Sequence, residues 1–271
     1  MPSYLVTGVN RGIGWAFLRN ISDDPNNTII GTVRDKASAE KKIADELGGR
    51  SNIHIVEVEM TSYDSIQKSV DVVSQITGGK LDYIIANAAY ISDWKAFEPI
   101  GNLGDHPEEL ENDLLQAFKV NVVGNVHLFN LYIPLVLQSD VKKVITISSG
   151  MADMDLINQY RLYNLAPYSI SKGAVNIAVS KFHAQYAADG VLFMSICPGL
   201  VETGHNSYLI QPDQLEGAKK VAAIFNEYAP GAVSQAPEDS VVNVMKVIYE
   251  SSLENGRGGA YISHLGSKRW L

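Results

Sequence analysis

Short apolar runs alternate along the chain with longer stretches whose apolar residues recur at helical spacing. Residues 3–7 (Ser-Tyr-Leu-Val-Thr) read as a buried strand and 12–21 as a helix. Residues 28–33 read as a second strand, 37–47 as a helix stopped by Gly48-Gly49, and 53–58 as a third strand. A helix over 62–76 is stopped by Gly78-Gly79, and 81–86 is a fourth strand. A long helix follows over 107–136, broken or bent along its length, with Pro134 marking its end. Residues 142–148 form a fifth strand, 167–188 a helix with Pro167 in its first turn, and 191–197 a sixth strand. Helices near 214–228 and 238–250 and a last strand at 259–263 complete the pattern.

The strands are apolar without strict polar alternation, as expected when both faces of a sheet are buried. Strand–helix alternation then predicts an α/β fold: a doubly wound, mostly parallel, Rossmann-like sheet, with 1–271 forming a single domain that combines cofactor and substrate sites. Such sheets bind ligands at the carboxyl ends of their strands, near the point where strand order reverses.

Composition narrows the class. The 271 residues, 46% apolar and 19% charged, suffice for a sizeable core. Against 30 acidic residues stand 22 basic ones, a formal charge of −8, so there is no basic field to attract nucleic acid or an anionic membrane. The single cysteine, Cys197, excludes an internal disulfide framework and a Cys-based zinc cage, and it reads as a small buried hydrophobe. His54, His106, His127, His183, His205 and His264 show no ligand spacing, so no metal is expected. No cationic segment precedes the first apolar run, and no stretch approaches ~18 uninterrupted apolar residues. The expectation is a soluble cytoplasmic protein, in which the Asn26-Asn27-Thr28 sequon is idle.

The first strand runs into Thr7-Gly8-Val9-Asn10-Arg11-Gly12-Ile13-Gly14 and then a helix. Gly8 permits the tight turn, Gly12 lets backbone approach a pyrophosphate, and Gly14 lets the helix pack close to the strand. The helix N-terminus offers free N–H groups and partial positive charge to the phosphates. At the end of the second strand, Arg34 stands where a guanidinium can grip a ribose 2′-phosphate, with Arg11 as a second cation. That pair favours NADPH over NADH. Asp35, one residue on, is the alternative partner for a ribose hydroxyl.

Tyr168 and Lys172 lie one turn apart on one helix face. An ammonium beside a phenol lowers its pKa from ~10 and makes it a usable acid or base for a carbonyl or alcohol oxygen. Ser149 ends the fifth strand, where its hydroxyl can hydrogen-bond the same oxygen; adjacent Ser148 is its rival.

The glycine pattern TGxxxGxG, Asn87-Ala88-Ala89, Asn121, Ser149, Tyr168-Ser-Ile-Ser-Lys172 and Pro198-Gly199 together resemble the short-chain dehydrogenase/reductase family over nearly the whole chain. The resemblance implies NADP-dependent carbonyl reduction, a ketoreductase activity reversible to alcohol oxidation. It implies that Ser149, the later serine of its pair, Tyr168, Lys172 and Asn121 are catalytic, with Asn121 bending its helix and holding a water linked to the lysine. Cofactor contacts are implied for Gly8, Asn10, Arg11, Gly12, Ile13, Gly14, Arg34, Asn87, Ala88, Tyr168, Lys172, Pro198, Gly199, Val201 and Thr203. Glu59 and Met60 match the positions that flank the adenine, although the family usually has Asp where Glu59 stands. Ser149 and Tyr168 are 19 residues apart, wider than the family's common spacing, so 151–165 is expected to bulge beside the pocket. Pocket candidates are 90–106 with Trp94 and Phe97, the 151–165 stretch with Tyr160 and Tyr163, and 203–210 with Tyr208 and His205. These aromatics suit an apolar or aromatic carbonyl compound. Ala86-Asn87-Ala88-Ala89 and Gly266-Ser-Lys-Arg-Trp270 also resemble fungal ketoreductases of the norsolorinic acid ketoreductase type. Family members pair through the helices bearing Asn121 and Tyr168, implying a homodimer or homotetramer. The competing reading is a catalytically silent NADP(H)-binding sensor or scaffold, against which the full Ser-Asn-Tyr-Lys set argues.

Overall fold

The computed structural model describes residues 1–204 and 212–271. Strands β1 (Ser3–Thr7), β2 (Thr28–Val33), β3 (Ile53–Glu57), β4 (Tyr83–Ala86), β5 (Lys143–Ile147), β6 (Leu192–Cys197) and β7 (Tyr261–Ser263) make one sheet. Their order is β3-β2-β1-β4-β5-β6-β7, and every pair is parallel. The order reverses between β1 and β4. Gly8, Asn87, Ser149 and Pro198 all follow strands at the carboxyl edge, on and beside that switch point.

Both faces are covered, and successive strand residues serve opposite faces. Tyr4 and Val6 pack with Phe17 and Leu18 of α1 (Gly12–Ser22) and with Val244 and Ile248 of α10 (Pro237–Glu250). Leu5 and Ile84 pack with Phe129 and Tyr132 of α6 (Gly124–Leu137) and with Val179 and Phe182 of α8 (Ala166–Tyr186). Strand apolarity without alternation follows from this sandwich. Helix ends are chemically marked: Asp35 and Ser62 cap α2 (Lys36–Leu47) and α3 (Tyr63–Thr77) by accepting from Ser38 N–H and Ser65 N–H. Left-handed Gly48 and Gly78 close the same two helices.

The predicted long helix is α5 (Pro107–Phe118), a π-helical turn (Lys119–Val123) and α6 in continuous succession. Its 31 residues are long and apolar enough to cross a bilayer by length and composition, and half of the most apolar stretch is buried in this fold. Pro134 does not end it, contrary to the sequence expectation. Pro134 and Asn130, whose carbonyl loses its helical donor, both face solvent, so water can replace the missing bond.

The stretch 151–165 is not a simple bulge. It forms a 3₁₀ turn (Gly150–Ala152) and α7 (Met154–Tyr160), capped by Asp153 at its start and left-handed Arg161 at its end. Met151, Leu156 and Leu162 form a third, smaller core with Cys197 and Trp270, joined by Tyr228 from α9 (Leu215–Tyr228). A short α4 (Ile100–Leu103) interrupts the 90–106 connection.

Candidate active site

The glycine loop is held by backbone demands. Gly8 and Gly12 have φ of +74° and +56°, in the region that favours glycine. A Cβ on Gly14 would stand 2.1 Å from the Gly8 carbonyl oxygen and 2.7 Å from Asn87 Nδ2. Asn87 locks the turn from across the switch point. Its side-chain amide donates to the carbonyls of Thr7 (2.9 Å) and Gly8 (3.3 Å), while Thr7 Oγ1 accepts from the N–H groups of Asn87 and Ala88. Arg11 is the N-cap of α1 with no side-chain cap, and the first turn carries no acid, so its amides are available to an anion. Ile13 packs on the core, and the Asn10 carbonyl accepts from Lys42 Nζ at 3.3 Å.

Arg11 and Arg34 are exposed and make no ion pair among the described residues. Asp35, the rival, has a carboxylate already capping α2. Glu59 accepts from Thr61 N–H and Thr61 Oγ1, both at 3.0 Å, and remains half-buried at the rim. Met60 is placed in the core with Val58 and Ile66, so its expected place beside an adenine rests on backbone alone.

Ser149 follows β5 and caps the 3₁₀ turn, accepting from Met151 N–H at 3.2 Å. Its rival is occupied elsewhere: Ser148, 2% exposed, donates to Asn176 Oδ1 at 2.8 Å. Left-handed Leu165 and then Pro167 start α8 and bring the Tyr168 hydroxyl close to the Ser149 side chain. Lys172, 2% exposed, follows one turn later; its Nζ donates to the Ile147 carbonyl at 2.8 Å and lies 5.6 Å from the Tyr168 ring centroid.

The electrostatics depart from the sequence expectation. Burial pushes the Tyr168 hydroxyl well above its ordinary range, offset only in part by Ser149. Burial also lowers Lys172 to about 8. The ammonium does not depress the phenol here, because it bonds to Ile147 and sits beside the ring while desolvation acts on both groups.

Asn121 sits fully buried in the π-turn between α5 and α6. Its side chain grips the Tyr90 backbone from both sides, accepting from the N–H (2.7 Å) and donating to the carbonyl (2.9 Å), and it also donates to Ser171 Oγ. One Nδ2 bond thereby fixes the start of the 90–106 connection, and the other ties the π-turn to α8.

After β6, Cys197 is buried and accepts from Gly150 N–H at 3.1 Å, as a packed thiol. Gly199 has φ +85°, and a Cβ there would meet Gln235 Nε2 at 2.5 Å. The Pro198 carbonyl accepts from Ser240 Oγ and Gln235 Nε2, and Val201 bridges to Gln235. Thr203 reaches the glycine loop: a Cβ on Gly12 would stand 3.4 Å from its Cβ and Cγ2. His205, Tyr208 and the rest of 205–210 lie outside the described residues.

Tyr168 also lines a small pocket whose wall includes Ser92, Trp94, Leu103, Leu165 and Pro167. Trp94 is where the sequence suggested. Phe97 instead packs on Gly217 of α9, and Tyr160 meets Tyr228 edge-to-face at 5.3 Å in the third core. Three residues here were not foreseen. Tyr261 donates to the Ser149 carbonyl, and Trp270 packs so closely that a Cβ on Gly150 would be 2.7 Å from its own Cβ. Asp113 lines the pocket from α5. Its signal is an acid on the inward stripe Leu110, Asp113, Leu114, Ala117.

A glycine loop at a switch point, with a Ser-Tyr-Lys group on the same sheet edge, defines an oxidoreductase of the nicotinamide-dependent type. A sequence model of the short chain dehydrogenase family matches residues 3–214. The chain belongs to the short-chain dehydrogenase/reductase family. It is 52% identical to the short chain dehydrogenase virK of Hypocrea virens and 46% identical to the short-chain dehydrogenase/reductase iacC of Pestalotiopsis fici, each over the full length of both chains. Its fold is similar to carbonyl reductase Sniffer of D. melanogaster, with TM-score 0.77, 20% identity and 98% of each chain covered. The NADPH-bound carbonyl reductase from chicken fatty liver matches at TM-score 0.77 with 22% identity, again over 98% of each chain.

Proposed function

We propose that this protein is an NADPH-dependent carbonyl reductase, acting on a compact apolar or aromatic ketone or aldehyde and reversibly on the alcohol. The observation that carries this reading is the placement of Tyr168 beside the Ser149 side chain, with buried Lys172 one turn on, at the sheet edge that bears the glycine loop. The residues fit a dinucleotide. The left-handed Gly8 and Gly12 and the uncapped start of α1 suit a pyrophosphate, and exposed Arg11 and Arg34 suit a 2′-phosphate. In this reading Asn10, Ile13, Glu59, Ala88, Pro198, Gly199, Val201 and Thr203 are the contacts expected for the rest of the cofactor, with Asn87 holding the glycine loop and Lys172 on the nicotinamide side.

Bound cofactor supplies the hydride for reduction and takes it back in oxidation. Tyr168 donates its phenolic proton to the substrate oxygen, and its raised pKa keeps that proton in place until charge develops there. Ser149 hydrogen-bonds the same oxygen and orients the phenol. Lys172, held by the Ile147 carbonyl, returns a proton towards Tyr168, and Asn121 keeps the adjoining wall fixed through Tyr90.

The test is oxidation of NADPH and of NADH with a panel of aryl ketones, using the wild type and Arg34→Ala. The expected result is turnover with a preference for NADPH that falls about 10–100-fold in Arg34→Ala. Equal use of NADH by the wild type would overturn the NADPH assignment, and tight cofactor binding without turnover of any carbonyl would make the protein a nucleotide sensor. Exposed Leu115, Phe118 and Val123, with Ile170 and Ile177 of α8, support pairing of two copies through these helices. Sedimentation that gave a monomer would count against a dimer or tetramer.

A further inference from the structure

The peptide that joins Ser149 to Gly150 is held at both of its polar ends. Its carbonyl oxygen accepts from Ala152 N–H at 3.0 Å within the 3₁₀ turn, and also from the Tyr261 hydroxyl. Its N–H donates to Cys197 Sγ at 3.1 Å. Tyr261 pairs with Ser195 and Ser263 with Cys197 across β6 and β7, so Tyr261 and Cys197 leave the sheet on one face. That is the face of Phe193, covered by α8, the helix of Tyr168 and Lys172. Trp270 stacks on the Tyr261 ring at 4.5 Å and donates its backbone N–H to the Tyr228 hydroxyl at 2.9 Å. Ring packing therefore explains an aromatic side chain at 261, and phenylalanine would serve it equally. It does not explain the hydroxyl. The Ser149 carbonyl already has a backbone donor, so no orphaned acceptor has to be satisfied there.

We propose that Tyr261 is a positioning residue for the reaction: its hydroxyl, donating to the Ser149 carbonyl, fixes the Ser149 backbone so that the Ser149 side chain stays aimed at the oxygen that Tyr168 protonates, while Cys197 holds the other end of the same peptide. The inference rests on the carbonyl-reductase reading and adds to it a residue 112 positions away from Ser149. The need for such a clamp follows from Gly150. A Cβ there would stand 2.7 Å from Trp270 Cβ, so the packing of the third core demands glycine. Glycine in turn removes the steric restraint on the peptide that carries Ser149. Hydrogen bonds at both ends of that peptide replace the restraint. Burial pushes the Tyr261 hydroxyl well above its ordinary range, with the charges of Cys197, Asp153 and Tyr168 adding to the shift, so it stays a donor. The charge effect of Tyr168 also places the Tyr261 hydroxyl near the reacting phenol.

The test is a double-mutant cycle on the full chain. Steady-state constants for an aryl ketone are measured for the wild type, Tyr261→Phe, Ser149→Ala and the double variant, with NADPH dissociation constants and thermal melts alongside. Tyr261→Phe is expected to lower kcat about 10–100-fold, with KM and NADPH affinity within a few-fold of the wild type. In the Ser149→Ala background the same substitution should change kcat by less than about twofold, because the group it positions is gone. Tyr228→Phe, which loosens the tail at Trp270, should lower the melting temperature without that loss of kcat. A kcat for Tyr261→Phe within about twofold of the wild type, an equal loss in both Ser149 backgrounds, or the same loss in Tyr228→Phe overturns the proposal. Should Tyr261→Phe fail to fold, Cys197→Ala frees the other end of the peptide and enters the same cycle; its loss of kcat should likewise vanish in Ser149→Ala, and persistence there contradicts the clamp. Crystal structures of the wild type and Tyr261→Phe give a readout that needs no turnover. Ser149 Oγ is expected to shift by about 1 Å or to occupy a second rotamer, and an unmoved Ser149 overturns the proposal. A wild type that reduces no carbonyl defeats the reductase reading, and this structural arm then decides the positioning claim by itself.

Discussion

The nucleotide side and the substrate side of the sheet edge are built by different means. On the nucleotide side, Gly8, Gly12 and Gly14 act within seven residues, and what they present is backbone: a left-handed turn, a close approach and open helix amides. On the substrate side the parts are side chains from distant segments. Tyr261 bonds the Ser149 carbonyl from 112 residues away, Trp270 packs on Gly150, and Asp113 and Trp94 meet Tyr168 around one pocket. Backbone devices tolerate almost no change at the glycines. Side-chain devices can be exchanged while the sheet stays the same, which lets one fold accept different substrates.

The sharpest way to break this contrast is Gly14→Ala. The added Cβ meets the Gly8 carbonyl at 2.1 Å, and backbone cannot step aside as a side chain can. The expected loss is about 4 kcal/mol of stability and at least ~100-fold in cofactor affinity, read by chemical denaturation and fluorescence titration. Unchanged cofactor affinity would mean that the loop is not held by close packing.

Trp270→Ala probes the other side. Removing a 2% exposed indole from the third core is expected to cost about 3 kcal/mol and to raise KM for the carbonyl substrate, with cofactor affinity little changed. Equal damage to both affinities would erase the distinction between the two sides.

Lys172→Met has the smallest effect on stability, and its sign is opposite. Burial holds Lys172 at about 8, below the usual 10.5. Between those values the folded chain binds fewer protons than the unfolded chain, so stability contributed by this group rises with pH across that window. At pH 7 the buried ammonium is a net cost. Lys172→Met should therefore gain about 1–2 kcal/mol at pH 7 while turnover falls, and the gain should shrink by pH 10.5. Melting curves at pH 7 and 10.5 check it; a pH-independent difference would contradict the burial argument. The wild-type reduction rate should also fall as pH rises through about 8, as the ammonium is lost.

The same division decides what was legible in the sequence. Strand–helix alternation and the glycine loop are local patterns, and β1–α1–β2 stands where the periodicity put it. Helix ends were readable at Gly48 and Gly78 because their chemistry is local. Pro134 misled because whether a lost hydrogen bond matters depends on which face meets water, and that is a tertiary fact. Ser148 and Ser149 are chemically identical in the sequence; the Asn176 contact of buried Ser148 and the proximity of Ser149 to Tyr168 separate them. Tyr160 looked like a pocket residue because its partner, Tyr228, is remote in sequence. The expected effect of Lys172 on Tyr168 assumed solvent-like surroundings, which the burial of both groups replaces. Asp113 left a readable trace, an acid on an apolar stripe, but the pocket it lines is assembled from residues 92 to 168.

The central claim is that the phenol of Tyr168, beside Ser149, is the proton donor to the substrate oxygen. Tyr168→Phe removes one oxygen atom and leaves the ring in place. Single-turnover reduction of an aryl ketone by this variant, measured beside its NADPH dissociation constant, is expected to be slower by about 10²–10⁴-fold, with cofactor binding within a few-fold of the wild type. A rate within tenfold of the wild type would contradict the account.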